Sequence, residues 1–271
     1  MSATLRVRLL VAAATLIGAG SVVGVVLATR QTPRQPKSEC KTAPKAIIVA
    51  GVPTRNVAAV RSALAKRDVP ALEQLARDHP NDPIVQFNFG TLLVCQGFTA
   101  DAVDAYRQAK HAGRDTFYEV EADNLLHPQF FHPANTAGYP VFQPTGHDPL
   151  LARGVALQQE FHQHSAEVLY LKAARLHPND PDAQVAAAVG RFDEDNIVPA
   201  FSHLGPLVKR FPTSQSVRYH LGLLLAWTGQ GDAAVTQFTK ARGLGPKTLL
   251  GRQSATFLAS LSGHGTKGLS N

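Results

Sequence analysis

Histidine is the residue type whose number and spacing here most invite chemistry. The chain has 11 of them, including the pair His162-Gln163-His164 and the neighbours His127 and His132. Imidazoles this close can hold zinc when Cys, Asp or Glu completes the set. No HExxH spacing occurs and no Cys lies nearby, so no metal site is expected. His162 and His164 read as solvated turn residues between two helices. Asp193-Glu194-Asp195 reads as an acidic turn that caps a helix. No GxSxG, P-loop or helix-opening GxGxxG is present, so no catalytic residue and no cofactor are expected, and the chain does not read as an enzyme.

Two cysteines, Cys40 and Cys95, exclude a disulfide scaffold and any multi-Cys metal centre. One bridge is open to them if the body is exported. Cys40 lies in a flexible-looking leader and Cys95 in a helical pattern, so the plainer reading of Cys95 is a small buried apolar residue.

The charge has to be mapped before it is interpreted. The chain is 271 residues long with a net charge of +7 and 44% hydrophobic content, enough to bury a core in one or two domains. Residues 1–45 carry seven basic groups and one acid, leaving the remaining 226 residues at a net +1. The body is therefore nearly neutral, which argues against nucleic acid as a partner.

The basic leader surrounds Leu9–Ala28, twenty residues without a charge. At 1.5 Å per residue this spans a bilayer core of about 30 Å. Residues 1–8 are then a short tail, 9–28 a transmembrane helix and 29–48 a Pro-bearing tether. Val26-Leu27-Ala28 offers a signal cleavage site, but the segment is longer than a signal core, so an anchor is expected. Basic residues after the span favour a cytoplasmic body, whereas its place at the N-terminus favours an exported one. The extracytoplasmic side is the expectation adopted. Gly20 and Gly24 have the GxxxG spacing that can pair two spans in a homodimer, though glycine is common in such segments.

A period of 34 residues organises the body. Pro178, Pro212 and Pro246 recur at that interval, as do Ala166, Ala200 and Ala234, and Gly154, Ala188 and Gly222. Tyr170, Leu204 and Phe238 form a large apolar column, and Ala173, Leu207 and Ala241 another. Each unit reads as two helices with apolar stripes at steps of three and four. Gly229-Gln230-Gly231 breaks the pair in the last copy, and Asp232 is expected to cap its second helix. Asn81-Asp82-Pro83 and Asn179-Asp180-Pro181 repeat one turn, with Asp as cap and Pro at the first helical position. The small columns let helices approach closely, and stacked hairpins bury a continuous core.

These columns resemble the tetratricopeptide repeat (TPR), best in Leu221-Gly222, Leu225, Gly229, Ala234, Phe238, Ala241 and Pro246. Gly90, Leu93, Gly97, Ala102, Tyr106 and Ala109 give a second copy. The resemblance implies an all-α TPR solenoid of helical hairpins over 49–262, preceded by the transmembrane helix. Units fall near 49–82, 83–116, 147–180, 181–214 and 215–248. A capping helix covers 247–262, and 263–271 is expected to be a disordered tail.

Register is lost across an insert, residues 117–146. Six of its 30 residues are aromatic, and four are proline. Thr116–Leu126 reads as one amphipathic helix and the rest as an irregular but ordered excursion. Phe130, Phe131, Tyr139 and Phe142 are its candidate contacts, either covering exposed core or acting as a lid.

In the resembled family the first helices of the hairpins line a groove that takes peptides. Carrying those positions over gives Phe87, Thr91, Leu151, Val155, Val185, Val189, Tyr219 and Leu223 as the candidate groove. They are almost wholly apolar, without the Lys and Asn that clamp a peptide carboxylate. Either the groove takes an apolar segment of a partner, or the insert fills it and these residues are core. The function expected is a membrane-tethered scaffold for an unknown protein or peptide, of the kind that serves envelope assembly or translocation. The alternative is an exported small-ligand or lipid-segment binder with the insert as lid.

Overall fold

The computed structural model describes residues 40–53, 55–130 and 139–265, with side chains up to residue 261. All of them belong to the compact unit Pro36–Asn271. The expected span Leu9–Ala28, the tether as far as residue 39, Phe131 and the last six residues lie outside the described residues. Among the described residues there are twelve α-helices and no strand, so the chain is all-α. None of these helices is long and apolar enough to cross a membrane.

The helices come in hairpins. α1 (Val57–Lys66) pairs with α2 (Val69–Asp78), and α3 (Pro83–Cys95) with α4 (Thr99–Ala112). α5 (Phe117–Leu126) packs on α4. After the insert, α6 (Pro149–Gln159) pairs with α7 (Gln163–Leu176), α8 (Pro181–Val189) with α9 (Val198–Arg210), and α10 (Gln215–Trp227) with α11 (Gly231–Leu244). α12 (Leu249–Gly265) closes the series. Neighbouring hairpins also touch through their first helices, α1 with α3, α8 with α10, and α10 with α12. This repeat-like order is compatible with a solenoid.

Local chemistry starts these helices. The Asp82 carboxylate accepts the N–H groups of Ile84 (3.0 Å) and Val85 (3.2 Å), with Pro83 in the first turn. Asp148 does the same beside Pro149, and Asp180 accepts the Asp182 N–H beside Pro181. Each satisfies backbone donors that a helix start leaves orphaned. Two expected caps are corrected. Asp232 lies in the first turn of α11, whose cap residue is Gln230 without a side-chain bond. The turn Asp193-Glu194-Asp195 does not cap α9, whose cap residue is Ile197.

The 34-residue columns have a single packing cause. A Cβ on Gly90 would stand 2.8 Å from the Tyr106 ring, and one on Gly222 3.0 Å from Phe238. Gly154 meets Tyr170 in the same way. Glycine on the first helix thus leaves room for the aromatic ring of the second. In the middle copy the pair is Ala188 with Leu204, a methyl gained on the first helix where the second loses a ring, and both are fully buried.

Two expected boundaries move. Residues 40–48 are not a free tether. Cys40 is bonded to Cys95 in a disulfide that joins positions 55 residues apart, so Cys95 is not simply a buried apolar residue. Ala46, Ile47, Ile48 and Val49 pack against the core formed by α1–α5. The closing helix runs to Gly265, three residues past its expected end, and packs Leu250, Phe257, Leu258 and Leu261 with residues of α10 and α11.

Candidate functional site

Two extended stretches of the chain are held by side chains of the helices. The first is the strap Ala46–Val49. Asn88 on α3 is fully buried. Its Oδ1 accepts the Ile47 N–H (2.8 Å), and its Nδ2 donates to the Ile47 carbonyl (2.9 Å) and to Ile84 (2.7 Å). The Tyr118 hydroxyl on α5 donates to the Ile47 carbonyl and accepts the Val49 N–H, both at 3.1 Å. Buried amide and hydroxyl groups need partners, and main-chain atoms of the strap supply them.

The second stretch is residues 139–146 of the insert. Gln158 Oε1 accepts the Phe142 N–H (3.1 Å) and the Tyr170 hydroxyl (2.8 Å). His220 Nε2 accepts the Gln143 N–H at 2.8 Å, while its Nδ1 faces the Ser216 carbonyl at 2.8 Å. That pattern puts the proton on Nδ1 of a neutral ring. Burial pushes the His220 pKa down to about 4, which keeps it neutral. Asp182 Oδ2 accepts both the N–H and the hydroxyl of Thr145, at 2.7 and 2.6 Å. The Phe142 ring stacks on His220 (5.0 Å) and meets Tyr170 edge-on (5.6 Å).

The candidate residues from the sequence are distributed accordingly. Phe87 is buried among the rings of Tyr106, Phe117 and Tyr118. Thr91 is half-buried, and its hydroxyl donates to the Phe87 carbonyl (3.0 Å). Leu151, Val185, Val189 and Phe142 belong to one buried core, with Val155 and Phe130 packed against it. Tyr219 and Leu223 are buried with Phe238 and Leu250. With Tyr139, Val141, Trp227 and Phe257 they also line a cavity of about 380 Å³.

A polar cluster joins the two parts of the fold. Lys110 Nζ lies 2.7 Å from Asp123, 2.6 Å from Asp195 and 3.7 Å from Asp193. Burial alone would lower its pKa, but the hydrogen bonds to Asp123 and Asp195 outweigh that and hold it up. His127 touches Asp123 through Nδ1 and Asp195 through Nε2, each at 3.0 Å. Glu194 accepts the Trp227 indole N–H (3.1 Å), and burial pushes its pKa up to about 7. Asp123, His127 and Glu194 each offer a ligand atom within 4.8 Å of the others, the set among the described residues that could hold a metal. Lys110 already supplies positive charge there, so a cation would compete with it.

His162 and His164 are also corrected. They are not simply solvated. His162 Nδ1 lies 2.7 Å from the Asp115 carbonyl, and His164 Nε2 lies 2.8 Å from Glu119. The Glu119 hydrogen bond raises the His164 pKa. Beside them a crevice of about 560 Å³ opens over Lys110, lined by Arg107, Arg114, Glu119 and His164.

Sequence reasoning passed over Asn88, Tyr118, Gln158, Asp182 and His220. Asn88 and His220 each stand two residues before the glycine of their helix, Gly90 and Gly222, but nothing in the repeat columns marks that position as buried. The chain matches no family model, no curated protein and no solved structure.

Proposed function

We propose that this protein is a membrane-tethered helical-repeat scaffold of the TPR type that holds extended polypeptide of a partner. The observation that carries this reading is the handling of main chain by buried helical side chains. It occurs twice and independently, at Asn88 with Ile47 and at His220 with Gln143. Such contacts read backbone rather than side chain, as in peptide recognition generally. The Gly–aromatic columns support the TPR assignment, and the uncharged run Leu9–Ala28 supports the anchor. A disulfide between Cys40 and Cys95 favours an oxidising, extracytoplasmic location for the body.

Photo-crosslinking from the full chain in its membrane tests this. A photoreactive residue at Arg107 or Thr256 is expected to trap one discrete partner through a contiguous segment, and one at Val168 is not. Identical adducts from all three positions, or lipid alone, would sink the scaffold reading.

The cavity beside Tyr219 and Leu223 favours a second reading, an apolar small ligand or lipid segment under the insert. Leu223→Trp fills that cavity. Under this reading it abolishes uptake of an apolar fluorescent probe while leaving partner crosslinks in place.

A further inference from the structure

Nothing that Asn88 and Tyr118 do at the strap depends on which residues the strap contains. Three groups of the strap are engaged, the N–H and carbonyl of Ile47 and the N–H of Val49, and all are main chain. Any extended segment presents the same groups at the same spacing. The side chains of Ile47, Ile48 and Val49 add apolar contact against the α1–α5 core, a preference for β-branched residues that favour extended backbone.

The strap is fixed covalently on one side and hinged on the other. Cys40 and Cys95 form the fixed end, with the Cys40 N–H also bonded to the Cys95 carbonyl. Gly51 forms the other end, at φ 91° with nothing within 4 Å of an added Cβ. That left-handed backbone suits glycine and lets the chain turn toward α1. Among the described residues, the Asn88 and Tyr118 bonds and half-buried apolar contact hold the strap between these ends, and Val52 continues that contact past Gly51.

We propose that the slot between Asn88 and Tyr118 is a docking site for an extended, β-branched apolar segment of a partner protein. Ala46–Val49 is its built-in occupant, and the Cys40–Cys95 bond keeps it closed. The inference rests on the scaffold reading above and adds its regulation. As part of the same chain the strap competes at an effective concentration on the order of millimolar; opening the bond leaves it joined to α1 through residues 50–56 but removes the closed loop that holds it in register, which gives a partner its advantage. A dithiol reductant opens the bond. Its thiolate attacks Sγ of half-buried Cys40, the S–S bond breaks, and Cys95 leaves as thiolate. The second thiol of the reductant then displaces Cys40. The reductant departs as a disulfide, and both cysteines end as thiols.

The test uses the full chain in nanodiscs and a fluorescent peptide with the sequence of residues 46–51, Ala-Ile-Ile-Val-Ala-Gly. Reduced protein and a Cys40→Ser variant are expected to bind it at least tenfold more tightly than oxidised protein. Methylating the peptide nitrogen equivalent to that of Ile47 removes the bond to Asn88 and should abolish binding, with no demand on the fold of a variant. Hydrogen exchange at Ile47 and Val49 should quicken on reduction. Equal binding to oxidised and reduced protein, or indifference to the methyl group, places the peptide elsewhere and overturns the proposal. So does the absence of binding after reduction. A mass that doubles on reduction, and not in Asn88→Ala, assigns the slot to the strap of a second copy and overturns a foreign partner. Partner crosslinks that persist with a strap that never opens defeat this inference alone. A strap that opens and binds peptide with no partner crosslinked defeats the scaffold reading alone.

Discussion

Asp115 caps a helix that its own segment does not belong to. Its carboxylate accepts the N–H groups of His164 (2.8 Å) and Ser165 (3.2 Å) and the Ser165 hydroxyl (2.5 Å). The cap residue of α7, His162, makes no side-chain cap bond of its own. The turn between α4 and α5 therefore finishes the start of α7, and so locks the first part of the fold to the second.

Asp115→Ala is expected to cost about 1–2 kcal/mol, the usual worth of a helix N-cap. Asp115→Asn should cost less, since Asn tolerates the φ of 60° found here and keeps an acceptor oxygen. Urea denaturation of both variants at pH 7 checks the order. Equal losses would show that the carboxylate charge, not the cap geometry, is what α7 needs.

Gly222→Ala is expected to destabilise by about 1–3 kcal/mol through overpacking against Phe238. Gly243→Ala on α11 has open space at the new methyl and should instead stabilise by roughly 0.5–1 kcal/mol through helix propensity. Thermal melts of the two variants should move in opposite directions. Adding Phe238→Leu should recover part of the Gly222→Ala loss.

The insert is expected to loosen in acid through His220. Its folded pKa, about 4, lies below the ordinary 6.5. Between these values the unfolded chain binds the proton and the folded one does not. Stability from this group is therefore complete above about 6.5 and is lost as pH falls toward 4. Protonation puts a hydrogen on Nε2, where the Gln143 N–H now donates. Hydrogen exchange at the Gln143 N–H reports the change directly. His220→Gln keeps an acceptor and does not titrate, so its acid limb between pH 6.5 and 4 should be flatter.

Lys110→Met is expected to cost about 2–4 kcal/mol, because it leaves Asp123 largely buried without its ammonium partner. Burial already raises the Asp123 pKa, and losing Lys110 removes the main opposing influence. Pairing Lys110→Met with Asp123→Leu should recover more than half of the loss in urea unfolding. If the double variant is no better, Lys110 matters to Asp195 rather than to Asp123.

The amino-acid sequence by itself determined the hairpins and their contacts. Gly222 and Phe238 are sixteen residues apart, and a ring on one helix needs a gap on the next, so the 34-residue columns record that packing directly. Asp82 and Pro83 start α3 from within the same turn, which is equally local. What α3 and α10 hold was not legible. The partner of Asn88 lies 41 residues away, that of Asp115 50 away, and that of His220 77 away. Periodicity reports which face of a helix is buried. It does not report which distant main-chain atom will satisfy a polar group on that face. That choice depends on how the extended segments fold back over the helices, and it was decided only by the tertiary structure. The same holds for Lys110, His127 and Asp195: the sequence shows a helical lysine, one histidine among several and part of an acidic turn, and only the packing of α4, α5 and the turn before α9 brings these side chains within 3.0 Å.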